Sequence, residues 1–237
     1  MTRITCGVVV LLLAAAHLPA QQAYPPPADL QTFYIYFLNK GPNSGKGTPE
    51  ERKEIQVKHM AHLNSLGAAG KIAGPFMHDG EQRGLVILAA DSVDAARKIG
   101  EADPAVKAGV FKVEVFTLIV PKNWFELGPV PEPFTMRRFV FFFLDNAPTR
   151  PANTPAAEMA KLQDAHLANL YRLSKEGKLH LAGPLTDGGD HRGIGVLATE
   201  SVEEAQQWMA DDPLIRAGYL VMVPLPWFAA DGIMLRK

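Results

Sequence analysis

Asp103-Pro104-Ala105-Val106-Lys107-Ala108-Gly109 returns later in the chain as Asp212-Pro213-Leu214-Ile215-Arg216-Ala217-Gly218. Working outward, Arg83-Gly84 is answered by Arg192-Gly193. Nineteen positions separate Gly84 from Asp103, and nineteen separate Gly193 from Asp212. Gly70-Lys71-Ile72-Ala73-Gly74-Pro75 pairs with Gly177-Lys178-Leu179-His180-Leu181-Ala182-Gly183-Pro184, two residues longer. Val120-Pro121 with Trp124-Phe125 pairs with Val223-Pro224 and Trp227-Phe228. Agreement over such lengths marks an internal repeat, which decides the fold before any single element does. The copies span residues 31–125 and 135–228. Between them, residues 126–134 carry Pro129, Pro131 and Pro133 and read as a semi-rigid linker. Residues 21–30 are a proline-rich spacer and 229–237 a short tail.

Each copy carries the same order of elements. Phe33–Leu38 and Phe139–Leu144 are apolar at every position, as in strands buried on both faces. Thr48-Pro49 and Thr154-Pro155 each read as a helix cap followed by proline at the first helical position. The helices run toward Gly67–Gly70 and Gly177, where glycine suits a C-cap. A strand then leads into Gly-Pro, and a glycine-rich turn leads to a second apolar strand. A second helix opens at Ser92 or Ser201, with Ser201 and Glu204 spaced as a capping box. A last strand follows Gly109 or Gly218 and looks shorter in the second copy. The order is βαββαβ, an α+β ferredoxin-like unit. Its helices cover one sheet face, so the other must be buried too. Packing the two sheets together within one chain, as a pseudo-dimeric α/β barrel, meets that need.

Composition narrows the partners. Lys+Arg number 24 and Asp+Glu 25, so the net charge of -1 gives no support to nucleic-acid binding. Hydrophobic residues make up 47%, which suits a core-forming chain and excludes a disordered one. Residues 1–20 hold Arg3, the apolar run Val8–Ala16 and a small residue at Ala20, the pattern of a signal peptide cleaved near Ala20. Export to the periplasm or exterior is therefore expected, without stable membrane association after cleavage. The single cysteine, Cys6, falls in that leader, which leaves a mature chain with no thiol chemistry.

One histidine eleven residues before a glycine, then Gly-Lys-Leu-x-Leu-Ala-Gly-Pro, then Asp-Pro-x-x-x-Ala-Gly, resembles the YCII-related (YciI-like) family. The resemblance covers both copies, the second more closely. It implies a dimeric α/β barrel fold, a His–Asp site, and small-molecule chemistry that in a few members is dehalogenation of small lactones.

Six histidines remain beyond the leader: His59, His62, His78, His166, His180 and His191. His59 and His166 hold equivalent places. On the helical period His166 shares a face with Leu162, Leu170 and Leu173, and His59 with Ile55, His62 or Leu63, and Leu66, so both point toward the sheet. Asp79 and Asp187, just past Gly-Pro, are the carboxylates expected to orient them. A carboxylate on one imidazole nitrogen fixes the tautomer and leaves the other free to move a proton. Counted without gaps, His78 rather than Asp79 stands opposite Asp187, so the second copy's pair is the better defined. Asp103 and Asp212 precede proline and read as turn-forming residues. Arg83 and Arg192 are candidates to hold an anionic substrate through forked hydrogen bonds. His62 and His78 complete the candidate binding residues, and Tyr171 reads as packing. A metal site from His59, His62, His78 and Asp79 is the rival in copy one, but copy two has Asn169 where His62 stands. No cofactor or metal is called for, and Asp187-Gly188-Gly189-Asp190 lacks a phosphate loop's lysine. Two functional readings stay open. One is an exported lyase, isomerase or dehalogenase-type enzyme using His–Asp proton transfer on a small molecule. The other is a non-catalytic small-ligand-binding or stress-related module, with homo-oligomerisation open for both.

Overall fold

The computed structural model describes residues 24–127, 133, 135–232 and 234–236. The expected leader, residues 1–20, and residues 128–132 and 134 of the expected linker lie outside the described residues. The first repeat runs β1 (Leu30–Lys40), α1 (Pro49–Ser65), a 3-10 turn (Gly67–Ala69), β2 (Gly70–Pro75), β3 (Gln82–Leu88), α2 (Val93–Glu101), α3 (Pro104–Lys107) and β4 (Phe111–Pro121). After β5 (Phe125–Leu127), the second runs β6 (Met136–Asn146), α4 (Ala156–Lys175), β7 (Leu179–Pro184), β8 (His191–Leu197), α5 (Val202–Met209), α6 (Pro213–Arg216) and β9 (Leu220–Ala230). β10 (Met234–Arg236) then pairs with β5, tying the tail back to the end of the first repeat. The sheets are antiparallel, in the orders β2-β3-β1-β4 and β7-β8-β6-β9. This is the expected pair of ferredoxin-like α+β units.

Local chemistry accounts for the helix starts, with one exception. Thr48 and Glu51 form a full capping box at α1, and Pro49 supplies its first residue. Ser92 and Ser201 cap α2 and α5. The Ser201–Glu204 box is only half formed, because the Glu204 carboxylate accepts from Thr199 Oγ1 instead. Thr154 is the exception: α4 begins at Ala156 with no side-chain cap, because the Thr154 hydroxyl is bonded to the Tyr219 hydroxyl. The extra two residues of the second copy lengthen α4, since β2 and β7 both have six residues. The tryptophans also pair differently than their neighbours suggest. Trp227 stands opposite Phe139 as Leu118 stands opposite Phe33, and β4 and β9 both have eleven residues. Trp227 is thus a strand residue, whereas Trp124 lies beyond its strand.

The two sheets meet along both edges. Phe76 bridges Trp227, and Leu118 bridges Leu185. Met77 N donates to Pro226 O at 2.8 Å, and Thr186 N donates to Thr117 O at 3.1 Å. At these seams the repeated Gly-Pro acquires its reason. A Cβ on Gly74 would collide with the Phe228 carbonyl, and one on Gly183 with the Ile119 carbonyl. Trp227 Nε1 donates to Gly74 O at 3.1 Å across the first seam. Inside the barrel the odd-numbered strand residues meet as aromatics. Phe37 and Phe143, equivalent in the two repeats, stand 5.1 Å apart, and Phe141 stands 5.9 Å from Phe37 and 5.4 Å from Phe76. The even-numbered residues of β1, Tyr36 and Leu38, pack on the helix side with Val86, Leu88, Ala96 and Val115. Burial of both faces explains the unbroken apolar runs.

Candidate active site in the second repeat

Both helix histidines face inward and are buried, as the helical period requires. Their carboxylate partners are not Asp79 and Asp187. His59 Nδ1 lies 2.6 Å from Asp103 Oδ2, and His166 Nδ1 lies 2.8 Å from Asp212 Oδ2. Each aspartate is fully buried and does two tasks. Asp103 Oδ1 accepts from Ala105 N at 2.8 Å and Asp212 Oδ1 from Leu214 N at 3.1 Å, capping α3 and α6. In the second repeat a third group joins: Asn169 Nδ2 donates to Asp212 Oδ2 at 3.0 Å, while Arg172 Nη2 donates to Asn169 Oδ1 at 2.8 Å. The Asp-Pro turn reading was right about the backbone and missed the side chain. The signal was available, since both copies carry one histidine and one Asp-Pro at matching places.

Asp187 goes elsewhere because the strand before it runs along the seam. Its carboxylate accepts from Thr117 Oγ1 of the first repeat at 2.9 Å and from Thr186 Oγ1 at 3.3 Å. Asp79 is exposed, 3.8 Å from Arg83. Arg83 also donates to the His78 carbonyl oxygen. His78 Nδ1 accepts from Gly80 N at 2.8 Å, and burial, then the Arg83 charge, holds this imidazole below its ordinary range. His62 keeps a buried Nε2 with no hydrogen-bond partner among the described residues. Among the described residues, no three histidine, cysteine, aspartate or glutamate side chains gather as metal ligands, so the His59, His62, His78 and Asp79 set is not assembled. A further pair escaped the sequence reading: His191 Nδ1 stands 2.6 Å from Asp145 Oδ1, with the ring stacked on Phe143. Tyr171 packs against Trp124, as expected of it.

His166 borders a cavity of about 420 Å³ between α4 and the second sheet. The floor comes from Phe142, Leu144 and the Gly183-Pro184 and Arg192–Ile194 segments, and α4 supplies Met159, Gln163 and Leu170. The roof comes from the first repeat and the chain before it: Trp124, Phe125, Pro27 and Leu30. Trp124 Nε1 donates to Pro25 O at 3.2 Å, Asn123 Nδ2 donates to Pro26 O at 3.2 Å, and Tyr24 packs edge-on to Trp124. Neither repeat forms this enclosure alone. Arg192 stands at the rim, as does Arg150, which the sequence reading did not single out. No hydrogen bond joins His166 Nε2 to the described residues, so with Nδ1 held by Asp212 it is available to a bound molecule.

The first repeat is filled differently. Tyr36, opposite Val86, takes the place of Phe142, opposite Gly195. Tyr36 lies beside Gly100 of α2, whose Cβ position would be 3.6 Å from its ring, while α5 has Met209 at that place. The Phe142 ring instead rests on Gly195, where any Cβ would overlap it. Burial, and secondarily the Asp103 carboxylate, pushes the Tyr36 phenol well above its usual range, so it stays neutral, and its hydroxyl has no partner among the described residues. A second hollow, about 390 Å³ between the first turns of α1 and residues Ala108 and Val110, does not include His59.

A buried His–Asp pair beneath each main helix, on two ferredoxin-like sheets closed edge to edge, defines a dimeric α/β barrel built within one chain. This chain belongs to the YCII-related domain family, whose model matches residues 32–119 and 142–227. None of the curated proteins matches it in sequence. Among solved structures, a mutant chlorite dismutase from Candidatus Nitrospira defluvii in complex with cyanide has the same fold. That likeness has a TM-score of 0.57 at 8% identity, over 85% of this chain and 91% of the other. Another mutant of the same enzyme matches with a TM-score of 0.57 at 8% identity, covering 85% and 92%. The 5-chloro-2-hydroxyhydroquinone dehydrochlorinase of Burkholderia phenoliruptrix AC1100 is 27% identical over 36% of this chain and 90% of its own, with a TM-score of 0.28.

Proposed function

We propose that the protein is a small-molecule enzyme of the lyase or isomerase kind, with His166 as the proton-transfer group in the second repeat's cavity. The observation that carries this reading is that one nitrogen of His166 is committed to a buried carboxylate while the residue borders a mostly apolar cavity. Nε2 takes a proton from a C–H or O–H of the bound molecule, and Asp212 stabilises the imidazolium so formed. The same proton then returns to another atom of the substrate, giving isomerisation, or to a leaving group, giving elimination. Asn169 and Arg172 hold Asp212 in place, and the His59–Asp103 pair serves the stability of the first repeat. The leader pattern supports export with cleavage near Ala20. No helix among the described residues is long and apolar enough to cross a membrane.

The test starts from compounds that raise the melting temperature of the purified protein. Each is then incubated in deuterium oxide and followed by NMR. At least one is expected to incorporate deuterium at a rate that falls about a hundredfold or more in His166→Ala, in keeping with the size of general-base effects. His59→Ala should leave that rate near wild type. Ligands that bind at His166 yet exchange equally fast in wild type and His166→Ala would instead identify a binding module.

A further inference from the structure

Charge around the cavity is one-sided. Arg150 and Arg192 line it, and among the described residues no aspartate or glutamate does. Neither arginine has a carboxylate partner among the described residues. Arg150 donates to Asn146 Oδ1 and packs over the Tyr219 ring at 5.8 Å, which holds it at the rim. Arg192 forms no ion pair at all among the described residues, whereas its first-repeat counterpart, Arg83, is engaged by the His78 carbonyl and stands near Asp79. Two arginines lining one mostly apolar hollow, with no counter-charge among the described residues, suit an anion there, since the guanidinium fork matches a carboxylate or similar oxyanion. Behind the rim three aromatic residues line the space, Phe142, Trp124 and Phe125. Aromatic rings in the lining of a 420 Å³ space favour a flat, ring-bearing body over a branched one.

Resting on the reading of this cavity as the functional site, we propose that it takes a planar, largely apolar small molecule bearing one anionic group. The anion sits where Arg150 and Arg192 line the cavity, and the body lies among Phe142, Trp124, Phe125 and His166. A cationic ligand would meet two like charges and no acid.

Three probes of one shape decide it: 1-naphthoate, 1-naphthylmethanol and 1-naphthylmethylamine, titrated into the whole protein by calorimetry and by tryptophan fluorescence. Naphthoate is expected to bind at least tenfold tighter than the alcohol, with the amine weakest and with affinity falling as salt rises. Arg192→Gln and Arg150→Gln should each weaken naphthoate about threefold to tenfold and leave the alcohol unchanged. Equal binding of the three probes would overturn the proposal and leave proton transfer by His166 standing. Naphthoate that binds without moving the His166 ring signals in NMR, or fails to bind, would overturn it too. Proton transfer itself is then decided separately by the deuterium experiment.

Discussion

Asp212→Ala is expected to lower the unfolding free energy by about 3 kcal/mol. The carboxylate is fully buried and receives three donors, His166 Nδ1, Asn169 Nδ2 and Leu214 N. An alanine there strands those donors away from water, at about 1–3 kcal/mol for a fully orphaned group. Loss of the cap on α6 adds about 1 kcal/mol. In a chain of this length each kcal/mol moves the melting temperature by about 2–4 °C, so a fall of about 6–12 °C is expected. Asp103→Ala should cost less, about 2 kcal/mol, because only His59 and Ala105 N depend on it. Asp187→Ala removes exposed hydroxyl contacts and should stay within about 0.5 kcal/mol of wild type. Urea unfolding followed by circular dichroism orders the three. A large loss in Asp187→Ala with none in Asp212→Ala would reverse the assignment of the histidine's partner.

Gly195→Val should close the cavity. The Phe142 ring rests where a valine side chain would stand, so it has to move. In the first repeat the equivalent ring lies beside Gly100, but in the second Met209 fills that place and is itself buried. The remaining space is the cavity. Overpacking of this kind costs about 1–3 kcal/mol, and the displaced ring should weaken any cavity ligand at least about tenfold. Adding Met209→Gly restores the first repeat's combination and should recover part of the loss, despite about 1 kcal/mol for glycine within a helix. Stability of the single and double variants, measured with naphthoate binding, tests this. Additive losses, or binding unchanged in Gly195→Val, would show that the glycine does not maintain the space.

The histidines and the aspartates were legible to different degrees. His59 and His166 could be aimed at the sheet because helix geometry relates residues three and four apart. Asp103 and Asp212 could be placed only as turn residues, because the bond to histidine joins elements more than forty positions apart. Asp187 looked suitable because it follows the strand nearest the histidine helix in sequence. The seam carries that strand's end across to Thr117 of the other repeat. Tryptophan followed by phenylalanine in both copies suggested an equivalence that the strand register does not support. Local similarity can persist at positions that do different work.

Sequence alone determined the repeat, its βαββαβ order and the need for a second sheet. These depend on periodicity and on apolar strands that no single sheet can bury. Tertiary structure decided which carboxylate meets which histidine and why Gly-Pro recurs at both seams. It also decided that a cavity borders His166 in the second repeat. Those outcomes depend on ångström-scale packing between distant segments. A single glycine under Phe142 and a tryptophan contributed by the other repeat leave room for a ligand, and neither can be read from its neighbours in the chain.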